Sequence, residues 1–238
     1  MRLLLTRPEP DAQRTAAMLR GRGHTVVVAA MMRIEAIADA PISAGPWAAI
    51  LITSANAAHA IAAHERHAQL RTLPVFAVGE RSAQAMRESG FADVSSAGGG
   101  VGDLASLVGE RVQPGARLLY LAGAERSGDL AAKLRPQNLC VETVVIYRAV
   151  ALPDLPEAAA AALAAGIDGV LHFSRRSAEA FINAARSAGM LAAALAPAHF
   201  CLSAQIAEPL AQAGAATIHV APQPAEAALI ALLTAESG

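Results

Sequence analysis

Short apolar segments rich in β-branched residues alternate along the chain with longer segments of helical spacing. Ala12, Ala16 and Leu19, for example, recur at the interval of an amphipathic helix. Strands that are apolar throughout and alternate with helices are typical of parallel sheets covered on both faces, so the pattern predicts an α/β fold. The predicted strands are Leu3–Thr6, Thr25–Ala29, Ala49–Thr53, Val75–Val78, Val94–Ser96, Leu118–Leu121, Val141–Tyr147, Gly169–Phe173, His199–Leu202 and Thr217–Val220.

Three pairs of similar segments indicate an internal duplication. They occur in the same order in both halves: Leu3–Arg33 with Leu118–Arg148, Thr53–Ile61 with Phe173–Phe181, and Phe76–Val94 with Phe200–Ile218. So many strands are better accommodated by two sheets of five than by one open sheet. We therefore predict two similar domains, each a five-stranded parallel sheet flanked by helices.

Composition and charge exclude several classes of protein. Hydrophobic residues make up 54% of the 238 residues, which excludes disorder. The formal net charge of −1 and the aromatic content of 3% argue against nucleic acid or an anionic membrane as partner. The apolar tracts are too short for a membrane span, and the start MRLLLTRP is too short for a signal peptide. We expect a cytoplasmic protein in which Cys140 and Cys201, both in predicted strands, are buried free thiols.

Polar residues follow several predicted strands, where helix N-termini present free N–H groups. The loops are Thr6-Arg7-Pro8, Thr53-Ser54-Ala55-Asn56, Gly79-Glu80-Arg81-Ser82, Ser174-Arg175-Arg176-Ser177 and Ser203-Ala204-Gln205-Ile206. Taken singly, such hydroxyls and amides are as typical of ordinary helix caps. Several of them at the same sheet edge, with arginines beside them, favour a ligand that carries carboxylates or phosphates.

Other candidates for chemistry are a tyrosine, a glycine run and three histidines. Tyr147 ends a predicted strand, and its duplicate position is Met32, so the shared fold does not require a phenol there. Its hydroxyl either meets a backbone carbonyl or faces a cleft. Gly98–Gly102 follows the wrong strand for a dinucleotide site. A solvated helix explains His59, His64 and His67 better than a metal site does, and we predict no metal.

The chain resembles the uroporphyrinogen-III synthase family over almost its full length. The resemblance rests on Thr6-Arg7-Pro8, Thr53-Ser54-Ala55-Asn56, Val78-Gly79-Glu80-Arg81-Ser82-Ala83, Val145-Ile146-Tyr147-Arg148 and the duplication. It implies two similar α/β domains joined by two connecting strands. The first domain would comprise residues 1–33 and 149–238, and the second residues 34–148. The linkers would lie near Met31–Ala36 and Ile146–Leu152.

The resemblance also implies an activity. The family enzyme closes linear hydroxymethylbilane into uroporphyrinogen III with loss of water and inversion of the last pyrrole ring, in haem biosynthesis. It implies no metal and no organic cofactor. By position, Tyr147 matches a family tyrosine that assists departure of the substrate hydroxyl. The substrate carries eight carboxylates, and the residues expected to bind it are Thr6, Arg7, Ser54, Asn56, Gly79, Ser82, Ser174, Arg175, Ser177 and Ser203.

Two features leave an alternative open. The second copy of the Gly79–Ala83 turn reads Ser203-Ala204-Gln205-Ile206-Ala207, so the glycine and the threonine of the family pattern are both lost there. Duplicated α/β domains also serve as modules that bind an anionic metabolite without converting it. Because few long apolar helices are available for a dimer interface, we expect a monomer.

Overall fold

The computed structural model describes residues 1–9, 11–126 and 128–235. Its strands are β1 (Arg2–Leu5), β2 (Thr25–Val28), β3 (Met32–Ala36), β4 (Ala49–Ile52), β5 (Val75–Ala77), β6 (Val94–Ser96), β7 (Arg117–Gly123), β8 (Cys140–Ala151), β9 (Gly169–His172), β10 (Ala198–Cys201) and β11 (Ile218–Val220). Its helices are α1 (Asp11–Arg20), α2 (Ala55–Ala62), α3 (His67–Leu70), α4 (Glu80–Glu88), α5 (Val101–Arg111), α6 (Leu130–Leu134), α7 (Glu157–Ala164), α8 (Arg175–Ser187), α9 (Leu191–Leu195), α10 (Ala204–Ala213) and α11 (Glu226–Ala235). A 3₁₀ turn at Arg135–Gln137 follows α6.

The chain folds as two compact units. The first unit consists of Met1–Arg33 together with the chain from Val150 onward, and the second unit of Ile34–Ala149. Each unit contains one sheet covered on both faces by helices, so the predicted α/β class with parallel sheets is confirmed. Each predicted strand is present, with ends that differ by a few residues.

The first unit is built on a five-stranded sheet in the order β11-β10-β9-β1-β2, and every neighbouring pair is parallel. On one face, Leu3 and Leu5 of β1 pack against Leu19 of α1 and Leu229 of α11. Helices α8 and α10 cover the other face. The strands need no polar alternation because both faces are buried, which explains the run Leu3-Leu4-Leu5.

The second unit is built on a sheet in the order β3-β8-β7-β4-β5-β6. Ile50 and Ile52 of β4 pack with α2 and α4 on one face, and Leu51 packs with α5 and α6 on the other. This sheet has six strands, so the prediction of five was wrong. The extra strand is β3, at one edge of the sheet, in the segment expected to form one of the two connecting strands.

Two further predictions need correction. Cys140 is exposed, because it is the first residue of β8 and pairs with the exposed Arg117; Cys201 is buried as predicted, and burial raises its pKa to about 12. The three histidines do not share one solvated helix. His64 is buried between α2 and α3, with Nε2 3.0 Å from the carbonyl of Ala40, whereas His59 is exposed on α2.

Among the described residues, none of the helices is both long enough and apolar enough to span a bilayer.

Candidate functional site

A polar cavity of about 290 Å³ lies at the carboxyl ends of the strands of the second unit. We call it the tyrosine cavity. Its lining residues are Thr53, Ser54, Val78, Gly99, Val101, Tyr120, Gly123, Glu125, Arg126 and Tyr147. Thr53 and Ser54 follow β4, Val78 follows β5, Tyr120 and Gly123 belong to β7, Tyr147 belongs to β8, and Val101 begins α5. A ligand site at the carboxyl ends of parallel strands is the usual arrangement in open α/β sheets.

Helix α2 begins at this cavity, and two hydroxyls precede it. Ser54 is the N-cap residue, and its side chain accepts a hydrogen bond of 3.2 Å from the backbone N–H of Asn56. The Oγ1 of Thr53 lies 2.8 Å from the hydroxyl of Tyr120, a residue of β7. The predicted Ser54 and Asn56 therefore lie at the cavity or next to it, and the cap contributes to the local fold as well.

Tyr147, near the carboxyl-terminal part of β8, brings a second phenol to the tyrosine cavity. Its hydroxyl lies near the side chain of Ser54. Burial raises the pKa of Tyr147 above its ordinary value; the nearby Ser54 hydroxyl opposes the rise, and Tyr120 and Glu125 add to it. Tyr147 is therefore protonated at neutral pH and can donate its hydroxyl proton.

Charged side chains occupy part of the cavity wall. Glu125 and Arg126 follow β7, and Glu125 Oε2 also accepts a hydrogen bond of 3.4 Å from the backbone N–H of Ala149. The wall thus combines phenols and aliphatic hydroxyls with one acidic and one basic group. Such a set can bind a polar ligand, donate a proton to it and pair with a carboxylate.

The loop after β5 places its predicted residues differently. Gly79 is the N-cap residue of α4 and directly follows Val78, which lines the cavity. Ser82 is only 6% exposed and lies on the buried face of α4 with Ala83 and Met86. The structure therefore puts Gly79 beside the tyrosine cavity and Ser82 inside the helix packing.

In the first unit, Thr6 and Arg7 are already engaged within the protein. Thr6 is fully buried, and its hydroxyl donates to the carbonyl of Leu171 at 3.0 Å. The Arg7 guanidinium lies 3.0 Å from Glu226 and 4.3 Å from the centre of the Phe173 ring. Both residues therefore have structural roles within the first unit, whether or not they also contact a ligand.

The remaining predicted residues lie at the starts of α8 and α10. The side chain of Ser174 caps α8 by accepting from the backbone N–H of Ser177, which is buried. Arg175 is exposed and paired with Glu179 at 2.9 Å and with Glu208 at 2.7 Å. Ser203 is the N-cap residue of α10, but its side chain makes no capping bond.

Sequence reasoning missed Tyr120, Gly123, Glu125 and Arg126 of the tyrosine cavity. Tyr120 and Gly123 belong to β7, whose apolar run Leu118–Ala122 indicates only a buried strand. The last two come within three residues of the end of β7, so the rule that ligands bind beyond strand ends would have found them. The loops predicted to bind a ligand follow five other strands.

The fold and the tyrosine cavity define a class: a two-unit α/β protein with parallel sheets and a proton-donating polar cavity at the strand ends. Comparison with known families narrows the class. The family model described as uroporphyrinogen-III synthase HemD matches residues 13–231, and the chain belongs to this family. The expected enzyme class, a cyclising lyase of haem biosynthesis, is thereby confirmed.

A solved structure shows the same fold. The uroporphyrinogen-III synthetase of Helicobacter pylori 26695 has a TM-score of 0.61 and 17% sequence identity, covering 99% of this chain and 100% of that chain. A mutant uroporphyrinogen III synthase from the extremely thermophilic bacterium Thermus thermophilus has a TM-score of 0.49 and 16% identity, covering 100% of this chain and 98% of that one. A search of curated protein sequences found no match.

Proposed function

We propose that the chain converts linear hydroxymethylbilane into uroporphyrinogen III with loss of one water, and that Tyr147 assists the departing hydroxyl. The observation that carries the proposal is the Tyr147 hydroxyl in the tyrosine cavity, beside Ser54 and protonated at neutral pH. The family match supports the overall reaction, and the cavity supports the role of the phenol.

The proton balance of the step is simple. As the terminal C–O bond breaks, the Tyr147 hydroxyl gives its proton to the leaving oxygen, which departs as water. The substrate becomes an azafulvenium cation, whose charge its own pyrrole nitrogen stabilises. Ser54 stabilises the phenolate by a hydrogen bond until the proton released on ring closure restores the phenol. Because the pyrrole supplies much of the driving force, positioning is the larger contribution of the protein.

Binding of the substrate carboxylates is proposed for the residues around the cavity. Arg126 supplies a positive charge on its wall, and Ser54, Asn56 and Gly79 lie at the starts of α2 and α4, where backbone N–H groups attract anions. Ser82 is buried, so its contact with a substrate carboxylate requires α4 to move.

In the first unit, carboxylate contacts remain proposed for the residues at the strand ends: Thr6, Arg7, Ser174, Arg175, Ser177 and Ser203. Arg7 and Arg175 would each bind a substrate carboxylate while keeping the ion pair with Glu226 or Glu208.

We also propose that the protein acts in the cytoplasm as a monomer, without a cofactor and without a nucleic-acid or membrane partner; the net charge of −1 supports this. Light scattering during size exclusion tests the monomer.

A coupled assay tests the reaction. Hydroxymethylbilane is generated in place, the protein is added, the product is oxidised, and the uroporphyrin isomers are separated by chromatography. Without an enzyme the bilane closes to isomer I, so a dominant isomer III is the expected result. Isomer I alone from folded protein would refute the activity and favour a module that only binds an anionic metabolite.

Tyr147→Phe tests the role of the phenol. We expect kcat to fall roughly 10- to 100-fold with KM little changed, because one proton-donating hydrogen bond is lost at the reacting atoms. Circular dichroism and Tm serve as controls for folding. A bilane whose hydroxyl is replaced by a trimethylammonium group, which departs without a proton, should react equally well with wild type and variant. A wild-type kcat for Tyr147→Phe with the natural substrate would remove the phenol from the mechanism.

A further inference from the structure

The Tyr147 ring occupies the space next to Gly123 that a side chain at position 123 would fill. A Cβ atom added to Gly123 would lie 2.7 Å from Cζ of Tyr147 and 2.8 Å from its hydroxyl oxygen. Non-bonded atoms do not approach this closely, so any side chain at position 123 would force one of the two residues to move. The contact lies entirely within the second unit.

The backbone of Gly123 does not itself require glycine. Gly123 has no left-handed backbone conformation, unlike Gly99 and Gly115 in the same unit. An alanine could therefore adopt its φ and ψ without strain. The reason for glycine here is space for the phenol rather than a turn.

A register irregularity places the ring at this point. Along β7 and β8, Ala122 is opposite Val145, but Gly123 is opposite Tyr147, so Ile146 is an extra residue on β8. Bulges of this kind bend a strand and redirect the next side chain. Ile146 is fully buried, and the backbone N–H of Ala124 donates to the carbonyl of Tyr147 at 2.9 Å. The burial of Ile146 and the hydrogen bond to the Tyr147 carbonyl thus fix the backbone at the bulge.

We infer that Gly123 is a positioning residue for the reaction: together with the bulge at Ile146, it seats the Tyr147 ring in the tyrosine cavity with its hydroxyl at Ser54. The catalytic part of this inference rests on the proposed function. In Gly123→Ala the paired strand stays and the ring moves, because the ring is the half-buried end of a rotatable side chain. The shift is at least several tenths of an ångström. Misplacement by about 1 Å costs on the order of 100-fold in rate.

Kinetics of single and double variants test the inference. Gly123→Ala should lower kcat to within a few-fold of Tyr147→Phe, and the double variant should be no slower than Tyr147→Phe. If the added methyl acts by filling the cavity instead, it will slow Tyr147→Phe further and raise KM, and the positioning role is overturned. Gly102→Ala, whose Cβ meets nothing within 4 Å, is the activity control and should match wild type.

Tyrosine NMR provides a readout that does not depend on turnover. The chain has two tyrosines, so ¹³Cζ labelling gives two signals, and Tyr147→Phe assigns them. Gly123→Ala should shift the Tyr147 signal, and by more than it shifts the Tyr120 signal. A Tyr147 signal that does not move overturns the inference.

A matched clash elsewhere controls for general destabilisation. An added Cβ at Gly169 would lie 2.7 Å from the ring of Phe200 in the first unit. Gly169→Ala should lower Tm and leave both tyrosine signals unchanged. If Gly123→Ala does not fold, adding Tyr147→Ala should restore folding by removing the ring, and failure to do so counts against the inference.

The two proposals fail in different ways. If Tyr147→Phe is fully active while Gly123→Ala shifts the Tyr147 signal, the proposed catalytic role of the phenol fails and the seating of the ring stands. If Tyr147→Phe is slow while Gly123→Ala is fast with an unshifted signal, the seating fails and the catalytic role stands.

Discussion

Acid should destabilise the first unit through a pair of buried histidines. His172 of β9 and His199 of β10 are fully buried, and Nε2 of His172 lies 3.1 Å from Nδ1 of His199. Other contacts of His172 are Thr6 and Phe181, neither of which can neutralise an imidazolium. Burial lowers the pKa of His199 to about 4, and burial and His199 together lower the pKa of His172 well below its ordinary value.

The direction of the effect follows from proton binding. Between pH 6.5 and 4 the unfolded chain binds protons on these imidazoles and the folded chain does not, so stability rises with pH. The full stability is present above pH 6.5 and is lost as the pH falls. For His199 alone, the change from 6.5 to about 4 corresponds to a loss of about 3 kcal/mol by pH 4.

Urea unfolding followed by far-UV circular dichroism measures this loss at pH 7 and pH 4.5. The matched variant carries His172→Leu and His199→Leu, which replaces both partners by apolar groups and leaves no polar atom unpaired. Carboxylates titrate equally in both proteins, and His172 adds to the loss from His199, so the wild type should lose at least about 2 kcal/mol more than the variant. Equal losses would refute the reasoning, as would an NMR titration in which either imidazole of the folded wild type becomes protonated near pH 6.5.

Two more predictions concern stability. Glu226 accepts from Arg7 at 3.0 Å and from Arg14 at 2.6 Å, so Glu226→Gln should cost about 1–2 kcal/mol in urea unfolding at pH 7. Burial raises the pKa of Glu226, but hydrogen bonds from Thr15 and Arg14 and the charges of Arg14 and Arg7 outweigh it and lower the pKa. The difference should therefore persist at pH 5 and vanish in strong acid, and a constant difference would contradict the ionised carboxylate. Leu51→Ala in the fully buried β4 should lower the free energy of unfolding by about 2–5 kcal/mol. Val220→Ala, at a residue that is 40% exposed, should lower it by about 0.5 kcal/mol or less. Similar losses for both variants would contradict the described core.

The α/β fold was predictable because many residues carry the same signal. Strands such as β4 are apolar at every position, and the helices between them repeat their buried residues at helical intervals. No single substitution would erase such a pattern. The apolar pattern does not reveal β3, which has Arg33 and Glu35 within five residues and lies at a sheet edge, where only part of its surface is buried. The family resemblance, not an apolar run, implied a connecting strand in this segment.

The hydroxyls of the candidate site were predictable only in part. Ser54 and Ser174 both cap helices, so the positional rule found them whether or not they bind a ligand. Ser82 was treated as a strand-end residue, although its spacing from Ala83, Ala85 and Met86 on the buried face of α4 indicates packing. Helical periodicity applied to this loop would have predicted the burial.

The position of Tyr147 shows where pattern reasoning ends. Alternation along β8 assigns successive residues to opposite faces, and a single extra residue at Ile146 changes that assignment for the rest of the strand. The apolar run Val144-Val145-Ile146 is the same with or without the bulge. The space for the ring comes from Gly123, a residue of another strand. The fold thus depends on many residues that agree, whereas the proposed catalytic geometry depends on one register shift and one missing side chain.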